Sequence, residues 1–173
     1  MPRVLSAKVV SFVLLLWVCD ICIFPSLFES GFMRPVLTYL IIVYAAFRWD
    51  WRKTAGLALF VGLLRDVTGS QPLGVETAVL TSSALVLGFL AQKMERDSFV
   101  VRVLAVFLFV FFDSLLILFL SGFLNFTNEF SGFFFLMIVS SAFLTALISP
   151  LFFYLTGKWF KDHLPLKQYE LFG

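Results

Sequence analysis

The chain has 173 residues, of which 61% are hydrophobic, 18% aromatic and 14% charged, where a soluble domain carries roughly 25% charged residues. That balance excludes a soluble globular protein. It also excludes disorder, which needs low hydrophobicity and high net charge where this chain has +2, and 13 basic against 11 acidic residues leave no positive footprint for nucleic acid.

A helix crossing hydrocarbon needs about 20 mostly apolar residues. Six segments approach that pattern, at 9–28, 33–47, 54–68, 73–92, 103–124 and 133–157. They predict an all-α integral membrane protein: six transmembrane helices in one bundle, one polytopic domain over 1–173, and a short cytoplasmic tail at 158–173. The second and third segments are short, about 22 Å for 15 residues, so they lean on interfacial flanks or thin the bilayer. Five helices, or a re-entrant segment, is the alternative.

The first segment follows Arg3 and Lys8 and resembles a secretory leader, but it lacks a small-residue cleavage site and runs on through Asp20 and Pro25 to Phe28. It reads as an uncleaved first helix. Cys19 and Cys22 form a C-x-x-C pair with no further ligand type beside them. They read as small buried hydrophobes, with no metal or cofactor expected.

Loop charges set the orientation, since Lys and Arg are retained on the cytoplasmic side. With six crossings, Arg3, Lys8, Arg48, Arg52, Lys53, Lys93, Arg96, Arg102, Lys158, Lys161 and Lys167 share one side, and only Arg34 and Arg65 the other. Both termini are therefore expected to be cytoplasmic. Trp49, Trp51 and Trp159 fall at that same boundary, as amphipathic rings do. The sequon Asn125-Phe126-Thr127 would face outward and matters only in a glycosylating pathway.

Helices associate in lipid through close packing and hydrogen bonds, so small residues mark their seams. Ala58 with Gly62, Ala84 with Gly88, and Ser141, Thr145 and Ser149 beside Ala142 and Ala146 repeat every four residues. These faces are assigned to the bundle interior. The Phe-rich stretches 106–112 and 130–135 supply bulk toward lipid or a partner, and Pro150 is expected to kink the last helix. The first three segments show no repeat in the last three, which weighs against an inverted-repeat transporter.

Asp20 and Asp113 lie near the middle of apolar runs, where insertion costs roughly 2.5–3.5 kcal/mol. One reading is a proton or cation relay between the first and fifth helices. The favoured one is interhelical glue, each carboxyl bonded to Ser or Thr hydroxyls. His163, the single histidine, reads as a solvated tail residue.

Arg65 and Asp66 close the third segment and lead through Gly69, Ser70 and Pro72 to Leu73, Gly74 and Glu76. This is the pattern of a helix stop and restart: Gly69 takes a left-handed cap, Ser70 caps the next helix and Pro72 enters its first turn. The simplest reading is a tight outer hairpin with an ion pair at its neck; contact with a ligand or partner is the rival. No nucleophile elbow, metalloprotease motif or phosphate loop is present, so no enzyme is expected.

Arg34-Pro35, Tyr44, the run Gly62-Leu63-Leu64-Arg65-Asp66 and then Leu73-Gly74-Val75 together resemble the rod shape-determining protein MreD family. The resemblance implies a non-enzymatic inner-membrane scaffold of the bacterial elongation machinery. It implies binding to MreC and coupling of MreB filaments to RodA and its transpeptidase, in support of cell shape and lateral peptidoglycan synthesis. It also implies likeness to the six-helix S components of energy-coupling-factor transporters. The residues it singles out for a partner or the hairpin are Pro35, Gly62, Arg65, Asp66, Leu73, Gly74 and Glu76. Two rivals remain: a substrate-binding subunit of a vitamin-type transporter, with a pocket lined by Arg65, Asp66, Glu76, Gln71 and Asn128, and a proton-coupled carrier through Asp20 and Asp113.

Overall fold

The computed structural model describes residues 7–23, 35–69, 74–94, 98–123 and 132–159, and among them every element is helical. We name the helices α1 (Ala7–Val18, continuing as a π-helical turn over Cys19–Ile23), α2 (Leu37–Arg48), α3 (Trp51–Thr68), α4 (Val75–Ala91), α5 (Phe99–Phe123) and α6 (Gly132–Trp159). Each corresponds to one apolar segment, with shifted ends. The second begins at Leu37 rather than at residue 33, because its first amides are held there from outside. The third begins three residues earlier than expected, where Asp50 caps it by accepting from Trp51 N–H at 3.0 Å. The end of the first segment, Leu73, the sequon, His163 and the chain beyond Trp159 lie outside the described residues, while Lys158 and Trp159, expected to open the tail, still belong to α6.

Two helices carry stretches long and apolar enough to cross a membrane, Val100–Leu120 and Phe134–Lys158. Only 28% and 22% of these windows are buried inside the fold, so most of their apolar surface faces outward. A soluble core helix would do the opposite. Leu104, Leu108, Phe112 and Phe119 on α5 and Phe143 and Leu147 on α6 are all exposed, as a lipid-facing surface requires. The Phe-rich stretch at 106–112 divides, however: Phe112 faces out while Val106, Phe109 and Val110 are core.

The centre of the bundle is α2. Every residue from Thr38 to Phe47 is buried, and α1, α3, α4, α5 and α6 all pack on it. A helix apolar on all sides belongs inside; at 12 residues it is only about 18 Å long. Around it the small-residue faces lie where their spacing put them, with Ala58, Gly62, Ala84, Gly88, Ala142, Thr145, Ala146 and Ser149 buried. A Cβ on Gly62 would lie 2.6 Å from Thr77 Cα, and one on Gly88 3.3 Å from Trp51 Cα. These glycines let α3 and α4 run in near backbone contact.

Pro150 sits inside α6 and cannot donate to the Ala146 carbonyl four residues back. Ser149 Oγ donates to that carbonyl instead, at 2.7 Å, so the lost bond is replaced locally.

Candidate functional site

A helix start leaves four amides without intrahelical partners, which lipid cannot satisfy. In α2 the partners come from other helices. Val36 N–H donates to Thr145 Oγ1 of α6 at 3.1 Å, Leu37 N–H to Asp20 Oδ1 at 3.0 Å, and Thr38 N–H to Asp20 Oδ2 at 3.0 Å. Thr38 Oγ1 adds a second bond to the same Asp20 oxygen at 2.8 Å. Asp20 is thus an N-cap supplied by a neighbouring helix.

The same device recurs one hairpin later. Glu76 N–H donates to Asp66 Oδ1 and Thr77 N–H to Asp66 Oδ2, both at 3.1 Å, and Thr77 Oγ1 also donates to Oδ2. Two consecutive amides and the hydroxyl of the second residue grip one carboxylate in both cases. The comparison of first and second halves could not reveal this, because the likeness links α1–α2 with α3–α4.

The α3–α4 turn departs from expectation at two glycines. Gly69 is extended, at φ −75° and ψ 161°, and takes no left-handed cap. Gly74 is left-handed at φ 96° and forms the N-cap of α4, a conformation in which a Cβ is strained. The expected ion pair joins Arg65 Nε to Glu76 Oε2 at 2.8 Å, while Asp66 is taken by the cap. Ser70, Gln71, Pro72 and Asn128 lie outside the described residues.

Asp113 on α5 is fully buried. Its Oδ2 accepts from Tyr39 Oη at 2.6 Å and its Oδ1 from Ser83 Oγ at 2.7 Å, tying α5 to α2 and α4. The Arg65 guanidinium lies 4.7 Å from the Tyr39 ring centre. Asp20 and Asp113 thus each bond across helices, Asp20 to the Thr38 hydroxyl and the first amides of α2 and Asp113 to Tyr39 and Ser83; Tyr39 was not foreseen as a partner. The signal for Thr38 and Thr77 was present: each is a Thr within three residues of a helix start, one helix after an apolar-run Asp.

Two concavities flank this framework. A polar cavity of about 340 Å³ is bounded by the π turn, the start of α2, the end of α3 and the start of α4; Pro35, Arg65 and Glu76 line it, with Asp20 and Trp17. On the outer side of α3–α4 a shallow groove of about 510 Å³ runs between Leu59, Leu63 and Val67 and the small residues Gly74, Ala78 and Ser82, with Asp66 in its wall. Of the five pocket residues expected from sequence, Arg65 and Glu76 share the cavity and Asp66 faces the groove instead. Cys19 is half-buried and Cys22 exposed, so Cys22 is not the buried hydrophobe anticipated. Among the described residues no three His, Cys, Asp or Glu side chains are grouped to hold a metal ion.

Among the described residues this arrangement orders helices, and a groove and a cavity flank it. The family model described as rod shape-determining protein MreD matches residues 3–158, which includes all six helices but the last residue of α6. No curated protein and no solved structure matches the chain.

Proposed function

The chain belongs to the rod shape-determining protein MreD family, and on that premise we propose that it is a non-enzymatic scaffold of the bacterial elongation complex, binding the single span of MreC. Family membership assigns it to rod-shape determination in the membrane. Our reading adds six crossings of the inner membrane with both termini cytoplasmic, supported by the eleven-to-two split of basic residues. It also adds indirect coupling of MreB filaments to RodA and its transpeptidase, and thereby to lateral peptidoglycan synthesis.

The observation that carries the partner reading is the α3–α4 groove. Gly74, Ala78 and Ser82 follow one another at four-residue spacing, and all three are exposed. Small residues facing lipid leave backbone within reach of another helix, the condition for close association without a hydrophobic drive. Thr81 Oγ1, beside them in the groove, is buried and has no hydrogen-bond partner among the described residues. A partner helix would supply one and fill the trough between Leu63 and Ser82.

The test is recovery of MreC with this chain from native membranes. Ala78→Leu and Ser82→Leu fill the groove from exposed positions and should reduce MreC recovery sharply at unchanged expression. Leu104→Ala, on the lipid-facing side of α5, should leave it intact. Equal recovery from all three variants would refute the groove as the docking face.

A further inference from the structure

The polar cavity on the other side of the α3–α4 hairpin shares no lining residue with the groove, and its chemistry is unused by the scaffold reading. We propose that it is a binding site for a small uncharged molecule bearing a carbonyl or amide oxygen, held by Trp17 Nε1–H and Arg65 Nη1–H.

Both of those donors belong to residues lining the cavity, and both are buried with no acceptor among the described residues. A buried unsatisfied donor keeps its desolvation penalty, and the penalty is larger on a charged group. Finding two among the residues lining one cavity points to an acceptor that the described residues do not supply.

Most of the carboxylate oxygens lining the cavity are already engaged. Asp20 receives three donors from α2, and Glu76 Oε2 receives Arg65 Nε. The complement of the wall is therefore an acceptor. Charge then selects its kind: Asp20 and Glu76 stand against Arg65 alone, so an incoming anion would meet no surplus positive charge to offset its desolvation. A neutral oxygen satisfies the same donors without that cost.

Size and shape agree. The volume of about 340 Å³ lies at the lower end of small-molecule sites, and Trp17, Ile21 and Pro35 offer apolar surface for a flat ring. Asp20 and Ile21 reach the cavity from a π-helical turn, a distortion found mostly at functional sites. At the rim, a Cβ on Gly69 would stand 3.2 Å from Glu76 Oε1 and 3.0 Å from the Arg65 carbonyl. The chain approaches the ion pair as closely as glycine permits.

The experiment uses the full chain in nanodiscs with 15N-labelled tryptophan. The Trp17 indole signal is identified by its loss in Trp17→Phe, or as the sole signal when the other three tryptophans are Phe. Nicotinamide and nicotinate, matched rings differing in charge, are titrated as probes. Nicotinamide should move the Trp17 signal saturably, with nicotinate weaker by about tenfold, because its carboxylate must be desolvated beside Asp20 and Glu76 with no surplus positive charge. Arg65→Lys should weaken nicotinamide by a similar factor, and Ile21→Trp, which fills the cavity without touching the ion pair, should abolish the shift. The proposal is overturned by no saturable shift with either probe, by nicotinate binding as tightly as nicotinamide, or by binding indifferent to Ile21→Trp.

Discussion

Asp20 holds Thr38 twice, through its amide at 3.0 Å and its hydroxyl at 2.8 Å, both on Oδ2. The π turn that follows the first helix thereby fixes where the central helix starts.

Removing that grip has a defined cost. Asp20→Ala strands the Leu37 and Thr38 amides and should destabilise the fold by about 2 kcal/mol, the scale of a lost cap. Thr38→Val removes only the hydroxyl bond and should cost about 1 kcal/mol. Because both changes break one network, the double variant should cost less than their sum. Reversible unfolding in mixed detergent micelles measures this; strict additivity would show the two residues to be uncoupled.

The glycines divide by geometry. Gly62→Ala drives a Cβ into Thr77 backbone at 2.6 Å, forcing α3 and α4 apart at about 1–3 kcal/mol. Gly74→Ala meets open space but keeps φ at 96°, costing about 1 kcal/mol. Gly56, mid-helix with nothing within 4 Å, should tolerate Ala with a gain of about 0.5–1 kcal/mol. Thermal midpoints in one detergent would rank them; Gly56→Ala falling below wild type would contradict the argument.

Tyr39→Phe leaves Asp113 Oδ2 without its donor in a fully buried place. It should destabilise by about 1–3 kcal/mol, and Asp113→Asn in the same background should add little. The same pair of variants, assayed for restoring rod shape in cells lacking the native copy, should lose function in step with recovered protein. Loss of shape at full protein level would indicate a role beyond glue.

Arg65 and Glu76 behave as a partly buried pair, with side chains 24% and 11% exposed. Truncating one partner leaves the other uncompensated, so Arg65→Ala should be less stable than Arg65→Ala with Glu76→Ala. Unfolding midpoints of the two variants settle the order.

The proposed topology is checked by labelling single cysteines in a Cys19→Ala, Cys22→Ala background with a membrane-impermeant maleimide. Asp50→Cys and Lys93→Cys should react only after the inner face is opened, and Gln71→Cys in intact cells whose outer membrane has been permeabilised. Reaction of position 50 from outside would overturn the orientation.

The sequence alone determined the class of protein, the approximate place of all six helices, the inward faces marked by Ala58, Gly62, Ala84 and Gly88, and the positions where a carboxyl demands a partner. Those are properties of composition and short-range spacing. Only the tertiary structure decided that α2 is the centre, that Asp20 and Asp66 cap helices other than their own, and that Trp17 and Arg65, 48 positions apart in the chain, line one cavity. The physical reason is the solvent: lipid is as apolar as a protein core, so hydropathy cannot tell a buried Ile42 from an exposed Leu147. What separates them is which polar groups find each other at long range, and that is settled only when the helices are packed.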